Sequence, residues 1–197
     1  MLREAGPPTL SRVTQRTVRA RLRAYLSCVI TRLADGSPLL IRPIRPDDKR
    51  LLVDMLGRLS ADSRYKRFLG PKPRFTVSEL RYLTEIDGVD HVSYVALRGD
   101  APRELVAEAR LVRSTSYPRA AEIAFTVTDD WQRRGIGTLL GDHLAMAARD
   151  RGIRYLTATM AADNVGAHRL VQRVSSQLHE RHDGPIDELC ADLAFAS

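Results

Sequence analysis

Residues 121–138 read AEIAFTVTDDWQRRGIGT, and the hydrophobic pattern changes its period within this stretch. From 121 to 127 every odd position is apolar, whereas Glu122 and Thr126 fall on even positions, which is the period of a half-buried β-strand. From Ile136 to Gly152 the apolar residues follow helical spacing instead. The stretch therefore predicts a strand, a turn containing glycine, and an amphipathic helix.

The predicted turn has the composition of an anion-binding site. Glycine lets the backbone approach an anion closely, and the first N–H groups of a helix attract phosphate. Arg133 and Arg134 add positive charge at a helix start, where acidic residues suit the helix better, and a bound pyrophosphate would account for them. Two other phosphate motifs do not fit: the strand after the helix lacks the acid of a dinucleotide site, and no Gly-Lys-Ser/Thr of a Walker A loop is present.

The residues on either side supply the elements of one mixed α/β domain. Asp35-Gly36 predicts a hairpin turn, and Thr76 with Glu79 forms a capping box. The predicted order is β-β-α-α-α-β-β-β-α-β-α-β-β. Strands are expected at 25–33, 39–44, 91–97, 104–112, 120–127, 155–160, 177–182 and 186–195, and helices after 47, 60, 76, 135 and 164.

Composition indicates a soluble globular protein of 197 residues, with 44% hydrophobic and 28% charged residues. No run approaches the roughly 18 apolar residues of a membrane span, and no signal peptide is expected. Residues 1–24 contain six arginines and one acid, which gives this arm a charge of +5 out of a net +7. We predict a basic N-terminal extension, open to disorder, over residues 1–22 and one domain over residues 23–197. Two distant cysteines favour a reducing, cytoplasmic location.

Residues 132–137 match the Q/R-x-x-G-x-G/A signature of the GNAT superfamily of N-acetyltransferases, and the element order resembles that fold over about residues 25–195. The resemblance implies an α/β (α+β) GNAT fold, with a mixed, mostly antiparallel sheet that is splayed near its centre and flanked by helices. It also implies acetyl-CoA as co-substrate, and no metal is expected.

The resemblance further implies how coenzyme A is held. Backbone N–H groups of residues 133–138 would bind the pyrophosphate, and the end of the strand, Phe125–Val127, would pair with the pantetheine amides like an added strand. Asn164 would lie near the thioester, although Asn is also an ideal N-cap, and Arg173 is a weaker candidate for the phosphates. The predicted coenzyme-binding residues are Phe125, Thr126, Val127, Gln132, Arg133, Arg134, Gly135, Ile136, Gly137, Thr138, Asn164 and Arg173.

The sequence departs from the family pattern within the predicted helix that begins at Asn164. Many GNAT enzymes have a tyrosine that protonates the leaving thiolate, and Val171 occupies that position here. The usual Gly-Phe at the next strand is Ser175-Ser176. A tyrosine acid at this place is therefore excluded.

Glu122 is the predicted catalytic base. An amine must lose its proton before it attacks a thioester, and a lone carboxylate in an apolar strand beside the coenzyme turn is costly unless it has a function or a partner. The structural alternative is an ion pair with a nearby arginine. Other candidate bases are His91, Asp129, Asp130 and His168. The pair His179-x-x-His182 has poor geometry for a metal.

Four stretches resemble the catalytic domain of Pat-type protein lysine acetyltransferases, namely 41–48, 59–65, 121–125 and 130–132. In that family the strand glutamate activates the amine and the later tyrosine is commonly missing. The resemblance implies acetyl transfer to an amine, with a leaning to a protein lysine. The segments expected beside the acceptor, 64–74 and 110–119, contain several arginines and no acid, so they would repel a polycation.

Several alternatives stay open at this point. The acceptor could be a small-molecule amine, or the domain could be a non-catalytic acyl-CoA sensor, which the missing tyrosine would suit. Nucleic acid is not an expected partner, because no recognisable motif accompanies the basic arm and aromatic residues make up only 6% of the chain. A homodimer is compatible with the sequence.

Overall fold

The computed structural model describes residues 28–175 and 177–193, so the predicted extension over residues 1–22 lies outside the described part of the chain. The strands are β1 (Val29–Arg32), β2 (Pro38–Pro43), β3 (His91–Arg98), β4 (Leu105–Arg113), β5 (Ala120–Val127), β6 (Tyr155–Ala161), β7 (Gln177–Asp183) and β8 (Ile186–Asp192). The α-helices are α1 (Lys49–Arg58), α2 (Ala61–Phe68), α3 (Val77–Thr84), α4 (Ile136–Asp150) and α5 (Val165–Val174). The predicted order of strands and helices is confirmed, and two short 3-10 turns, Pro46–Asp48 and Asp129–Trp131, are added to it.

Most boundaries follow from local sequence. Thr76 and Glu79 make the predicted capping box of α3, and the Ser60 hydroxyl accepts a hydrogen bond from Ser63 N at the start of α2. The acidic pair before α1 lies in a 3-10 turn instead of in the α-helix, because Asp48 is drawn into a buried bidentate pair with Arg42 at 2.7 Å for each bond.

The eight described strands form one sheet in the order β1-β2-β3-β4-β5-β6-β8-β7. Every neighbouring pair is antiparallel except β5 with β6, which is parallel. The predicted mixed, mostly antiparallel sheet is thus confirmed.

The splay of the sheet is located at the parallel pair. Strand β5 pairs with β4 along residues 121–127 but with β6 only along residues 120–122. Beyond Glu122 the two strands separate, so the edge of β5 from residue 123 onward has no strand partner on the β6 side among the described residues. This gap is the feature that positions the site.

Helices cover both faces of the sheet. Helix α4 packs on β3, β4 and β5 over the larger apolar core, which includes Ile136, Leu140 and Leu144. Helices α1 and α3 cover the other face through a second cluster that includes Leu52 and Met55. No helix in the described part of the chain is both long and apolar enough to cross a membrane.

Candidate active site

The turn before α4 exposes a row of backbone donors. Gly135 is the N-cap of α4 in the left-handed conformation with φ of 87°, and Arg133 also has a positive φ of 58°. Glycine at the N-cap offers no side chain to the helix, and no side-chain cap is made. Within the described residues the N–H groups from 133 to 138 have no hydrogen-bond acceptor. Six unpaired donors at one helix start fit the pyrophosphate of a nucleotide coenzyme.

The two arginines of the turn differ in their surroundings. Arg134 donates to Asp35 Oδ2 at 2.5 and 2.8 Å, and its guanidinium lies 4.1 Å from the centre of the Trp131 ring. Asp35 in the β1–β2 turn already neutralises Arg134, so the charge of this residue has an explanation besides a bound pyrophosphate. Arg133 is exposed and makes no ion pair with a described residue, so its side chain is available to an anion.

Gln132 and Asp129 connect the turn between β5 and α4 to helix α2. The Gln132 amide donates to Val127 O at 3.1 Å and to Ser63 Oγ at 3.0 Å, which ties the end of β5 to α2. Asp129 accepts from Ser60 N, Ser60 Oγ and Ser63 Oγ at 2.7–2.9 Å, so it holds the start of α2. Burial would raise the pKa of Asp129, but these hydrogen bonds outweigh it and lower the pKa. Asp129 is thus a structural residue, and its candidacy as a base is not supported.

Several predicted coenzyme residues can contribute only their backbone. The side chain of Ile136 is buried in the larger core, and Phe125 and Val127 pack against the same core. The Thr126 hydroxyl accepts from Arg67 Nε at 2.9 Å on the opposite face. These four residues lie at the open edge of β5 and at the start of α4, with side chains turned inward.

Close packing against α5 explains the two glycines inside α4, Gly137 and Gly141. A Cβ built at Gly137 would lie 3.7 Å from Leu170 of α5, and one built at Gly141 would lie 3.2 Å from the same side chain. Helices α4 and α5 therefore meet closely, with the first turns of α4 beside Leu170 in the second half of α5. The Thr138 side chain is partly buried in this first turn.

Asn164 caps α5, as its alternative interpretation predicts. Its side-chain oxygen accepts from Ala167 N at 3.2 Å. Val171, at the position of the family tyrosine, is buried and packs in the core, so it offers no proton donor. Arg173 lies exposed in the last turn of the helix.

Glu122 lies in a cleft of about 290 Å³ on the face of the sheet that α2 and α3 border. Its side chain is exposed, and it has no hydrogen bond or ion pair with a described residue. The premise that this carboxylate is buried and costly is therefore wrong. Strand alternation assigns Glu122 to the correct face of β5, but that face is accessible to solvent near the point where β5 and β6 separate. No described arginine lies within salt-bridge distance of Glu122, although the charge of Arg67 interacts with it across the cleft. The cleft is lined by Arg67, Phe68, Lys72, Phe75, Glu79, Tyr82, Leu83, Arg110, Val112, Glu122, Ile123 and Ala124.

A buried ionic network lies beneath the cleft. Glu108, 3% exposed, accepts from Ser93 Oγ at 2.7 Å and pairs with Arg110 at 2.5 Å. Burial would raise the pKa of Glu108, but Arg110 and Arg67 outweigh it, so the pKa is lowered. The Nε of Arg110 is buried and has no hydrogen-bond partner among the described residues. The network fixes two guanidinium groups at the cleft floor.

His91 belongs to the same network and is a poor candidate for a base. Its Nε2 lies 2.8 Å from an Arg110 nitrogen, and guanidinium can only donate, so Nε2 is the acceptor. Burial, followed by the charge of Arg110, lowers the pKa of His91 to about 4. Its lone pair is occupied and its proton affinity is low. His168 lies against Asp187 and Glu180, outside the cleft, and Asp130 also does not line it.

The cleft is less uniformly basic than the sequence segments 64–74 and 110–119. Arg67, Lys72 and Arg110 from these segments line it. However, Lys72 forms an ion pair with Glu79, and Glu122 adds a second carboxylate to the lining. The sequence predicts only a capping role for Glu79. Its ion pair with Lys72 depends on how α3 packs against the loop before it, which the local pattern does not show.

Comparisons with known proteins agree with this geometry. Residues 60–175 match the sequence profile of the Acetyltransferase (GNAT) family. Acetyltransferase Pat of Mycolicibacterium smegmatis is 32% identical over 161 residues, which are 82% of this chain and 48% of that protein. Acetyltransferase PA5475 of Pseudomonas aeruginosa is 32% identical over 137 residues, which are 67% of this chain and 71% of that protein.

Among solved structures, the GNAT domain of S. lividans PAT superposes with a TM-score of 0.75 at 30% identity, over 84% of this chain and 97% of that one. The predicted similarity to Pat-type catalytic domains is thereby confirmed. The chain spans about half the length of the Mycolicibacterium smegmatis relative, with 48% of it matched. The signature turn, the splayed sheet and these relatives show that the chain belongs to the Acetyltransferase (GNAT) family.

Proposed function

We propose that this protein transfers the acetyl group of acetyl-CoA directly to an amine, and that the amine belongs to a lysine of another protein. The observation that carries the proposal is the position of Glu122. It is an unpaired carboxylate in a cleft, placed at the residue where β5 and β6 part.

The chain offers coenzyme A a complementary surface. The unpaired N–H groups of residues 133–138 and the N-terminus of α4 suit the pyrophosphate, and exposed Arg133 can add a charge-assisted contact. The free edge of β5 over residues 125–127 suits the pantetheine amides, which would pair with it as a strand does. Bound in this way, acetyl-CoA supplies the thioester carbonyl beside the gap in the sheet.

Glu122 would act as the general base. A lysine amine has a pKa near 10.4 and attacks only as the neutral amine, so a carboxylate at the cleft must accept its proton, directly or through water. Val171 leaves the family position of the general acid without a proton donor. In this proposal the thiolate leaves without help from that position and takes its proton from solvent.

The cleft suits the long apolar stem of lysine. Phe68, Phe75 and Tyr82 supply aromatic surface along it, while Glu122 supplies the only carboxylate of the lining that no described cation neutralises within salt-bridge distance. A polycation would meet Arg67 and Arg110 at the floor, whereas one lysine in an acidic sequence context would not be repelled. The similarity to acetyltransferases named Pat agrees with the resemblance from which the lysine acceptor is inferred.

We also propose that residues 23–197 make up the acetyltransferase domain and residues 1–22 a basic extension to it. Acetyl-CoA as co-substrate and the free thiols of Cys28 and Cys190 fit a cytoplasmic site of action.

An acceptor panel tests the proposed function. Acetyl-CoA consumption is measured with lysine-containing proteins, with peptides in acidic and basic sequence contexts, with spermidine and with an aminoglycoside. We expect kcat/KM to be highest for lysine in an acidic context. A much higher value for spermidine or the aminoglycoside would contradict the protein acceptor. Tight acetyl-CoA binding without turnover of any amine would instead support the sensor alternative, which Val171 favours.

A further inference from the structure

The charged side chains in and beneath the cleft that holds Glu122 do not all have partners. Two ion pairs neutralise four of them, Lys72 with Glu79 and Arg110 with Glu108. Arg67 and Glu122 remain, and neither lies within salt-bridge distance of an opposite charge in the described part of the chain. Among the described residues, the cleft thus presents one unpaired cation and one unpaired carboxylate to a ligand.

The guanidinium of Arg67 is fixed in place, but its charge is poorly compensated. Its Nε donates to Thr126 Oγ1 at 2.9 Å, and its central carbon lies 5.1 Å from the centre of the Phe68 ring. Its two terminal nitrogens donate to no described residue. Burial, the largest cause, lowers the pKa of Arg67, and the more distant carboxylates of Glu108 and Glu122 oppose this shift only in part. The terminal N–H groups are therefore available to an anion.

A second guanidinium adds an unused donor beside the first. Arg110 is 5% exposed, and its buried Nε finds no acceptor among the described residues. A buried donor without an acceptor is costly. Arg67 and Arg110 both line the cleft and repel each other, while Glu108 is the one buried carboxylate that serves them both. A second carboxylate would reduce the repulsion and could supply the missing acceptor.

We propose that the cleft accepts, besides a protein lysine, a small amino acid whose carboxylate binds Arg67 and Arg110 and whose amine faces Glu122. The inference rests on the proposed function, because it uses the same thioester and the same base. An α-amino acid carries its ammonium and its carboxylate on one carbon, so both fit a cleft in which Arg67 and Glu122 interact across the space. Such a zwitterion has no net charge and is not repelled as a polycation is.

The size and the walls of the cleft restrict the side chain of this amino acid. A volume of about 290 Å³ lies at the lower end of the range for ligand pockets, which suits a small molecule. Phe68, Phe75 and Tyr82 supply aromatic surface to the lining. Lys72 and Glu79 neutralise each other and leave no charge for a charged side chain. The favoured acceptors are therefore apolar amino acids such as phenylalanine and leucine.

The reaction balances with the groups already present. The ammonium of the amino acid gives one proton to Glu122, directly or through water, and the neutral amine attacks the thioester carbonyl. A new N–C bond replaces the C–S bond of acetyl-CoA, and the nitrogen releases its second proton as the amide forms. The thiolate takes one proton from solvent, so the products are the N-acetyl amino acid, coenzyme A and one proton.

The test compares three acceptors that share one aromatic group, namely L-phenylalanine, its primary amide and phenethylamine. Only the first has a carboxylate. Release of coenzyme A is measured with the full chain, and a lysine peptide is assayed in parallel. We expect kcat/KM for phenylalanine to exceed that for either analogue about tenfold, the scale of one charge-assisted hydrogen bond. The amine of the amide is less basic and more often neutral, so a preference for the acid cannot come from the protonation of the acceptor.

Two variants and one control assign the preference to Arg67. Arg67→Gln should remove the preference for phenylalanine over its amide, and Arg67→Lys should keep part of it. Lys72→Gln alters a cation that Glu79 already neutralises and should keep the full preference. The comparison of acceptors with the unaltered chain needs no variant, so it decides the matter even if Arg67→Gln does not fold.

The possible failures are distinguishable. Equal kcat/KM for phenylalanine and its amide, together with turnover of the lysine peptide, would overturn this inference and leave the proposed function intact. Turnover of no acceptor would overturn both. A preference that persists in Arg67→Gln and is lost in Lys72→Gln would place the carboxylate beside Lys72 instead.

Discussion

At the scale of single residues, adjacent Arg133 and Arg134 have different roles. Arg133 is exposed beside the unpaired N–H groups, and Arg134 is bound to Asp35 and Trp131. We predict that Arg133→Gln weakens acetyl-CoA binding by about tenfold, the scale of one charge-assisted hydrogen bond. Arg134→Gln should instead lower the melting temperature and change the affinity less.

Calorimetry of acetyl-CoA binding separates the two arginines, and Asp35→Asn provides the matched control. Asp35 accepts hydrogen bonds from Ser37 and Arg134, which hold its pKa at about 2, so it stays ionised in all ordinary buffers. Its variant should behave as Arg134→Gln does. If Arg134→Gln weakened binding more than Arg133→Gln while Asp35→Asn had no effect, Arg134 would be the residue that contacts the coenzyme.

His91 gives a prediction for the pH dependence of stability. Burial and Arg110 lower its pKa in the folded protein from the ordinary 6.5 to about 4. The unfolded chain therefore binds this proton first, and its contribution to stability is complete above about pH 6.5 and is lost as the pH falls toward 4. His91→Gln keeps an acceptor for Arg110 but does not titrate.

Urea unfolding of the unaltered chain and of His91→Gln, repeated between pH 7 and pH 4.5, measures this effect. We expect the free energy of unfolding to fall more steeply with decreasing pH in the unaltered chain. A difference between the two proteins that stays constant with pH would contradict the assignment of a neutral, accepting His91.

At the scale of elements, helix α4 has a glycine with positive φ at each end. Gly135 has φ of 87° and Gly152 has φ of 69°, and an added Cβ would contact nothing within 4 Å at either position. Alanine in this conformation costs roughly 1–2 kcal/mol, so both substitutions should lower stability by similar amounts. Only Gly135→Ala should also disturb the proposed coenzyme site, because Gly135 lies within the row of unpaired N–H groups and is the N-cap of α4.

Melting curves with and without acetyl-CoA compare the two variants. The stabilisation by acetyl-CoA should shrink in Gly135→Ala and stay unchanged in Gly152→Ala. Equal shifts in both variants, matching the unaltered chain, would show that the turn does not bind the coenzyme.

Elements that depend on local patterns could be predicted from the sequence. The alternation in β5, the capping box of Thr76 and Glu79, and the glycine turn before α4 each need only a few neighbouring residues. Contacts across the chain could not be predicted in this way. Arg134 and Asp35 are 99 residues apart, and Ser60 and Asp129 are 69 apart.

The same distinction explains the error about Glu122. Alternation assigns this residue to a face of β5, and the face is correct. Its exposure depends on the separation of β6 from β5 after residue 122, which is a property of the sheet and not of the strand. The conclusion that Glu122 is a functional candidate holds, but the physical reason is its free carboxylate in a cleft, not a costly burial.

At the scale of the whole molecule, the gap in the sheet joins two surfaces. In the proposed function, the start of α4 and the open edge of β5 bind coenzyme A, and the cleft bordered by α2 and α3 receives the amine. Glu122 lies where the gap begins, so a thioester and an amine brought from the two surfaces would meet beside it. The buried Glu108–Arg110 network supports the floor of this meeting point.

The most direct test of this arrangement is the rate of acetyl transfer by Glu122→Gln, with acetyl-CoA binding measured on the same preparation. Glu79→Gln is the matched control, since it alters the other carboxylate that lines the cleft and glutamine can still form the capping box. We predict that Glu122→Gln binds acetyl-CoA normally and loses about 10²–10⁴-fold in kcat, with part of the loss recovered at high pH where more of the amine is neutral. Unchanged kcat in Glu122→Gln, or an equal loss in Glu79→Gln, would contradict the role of Glu122 as the base.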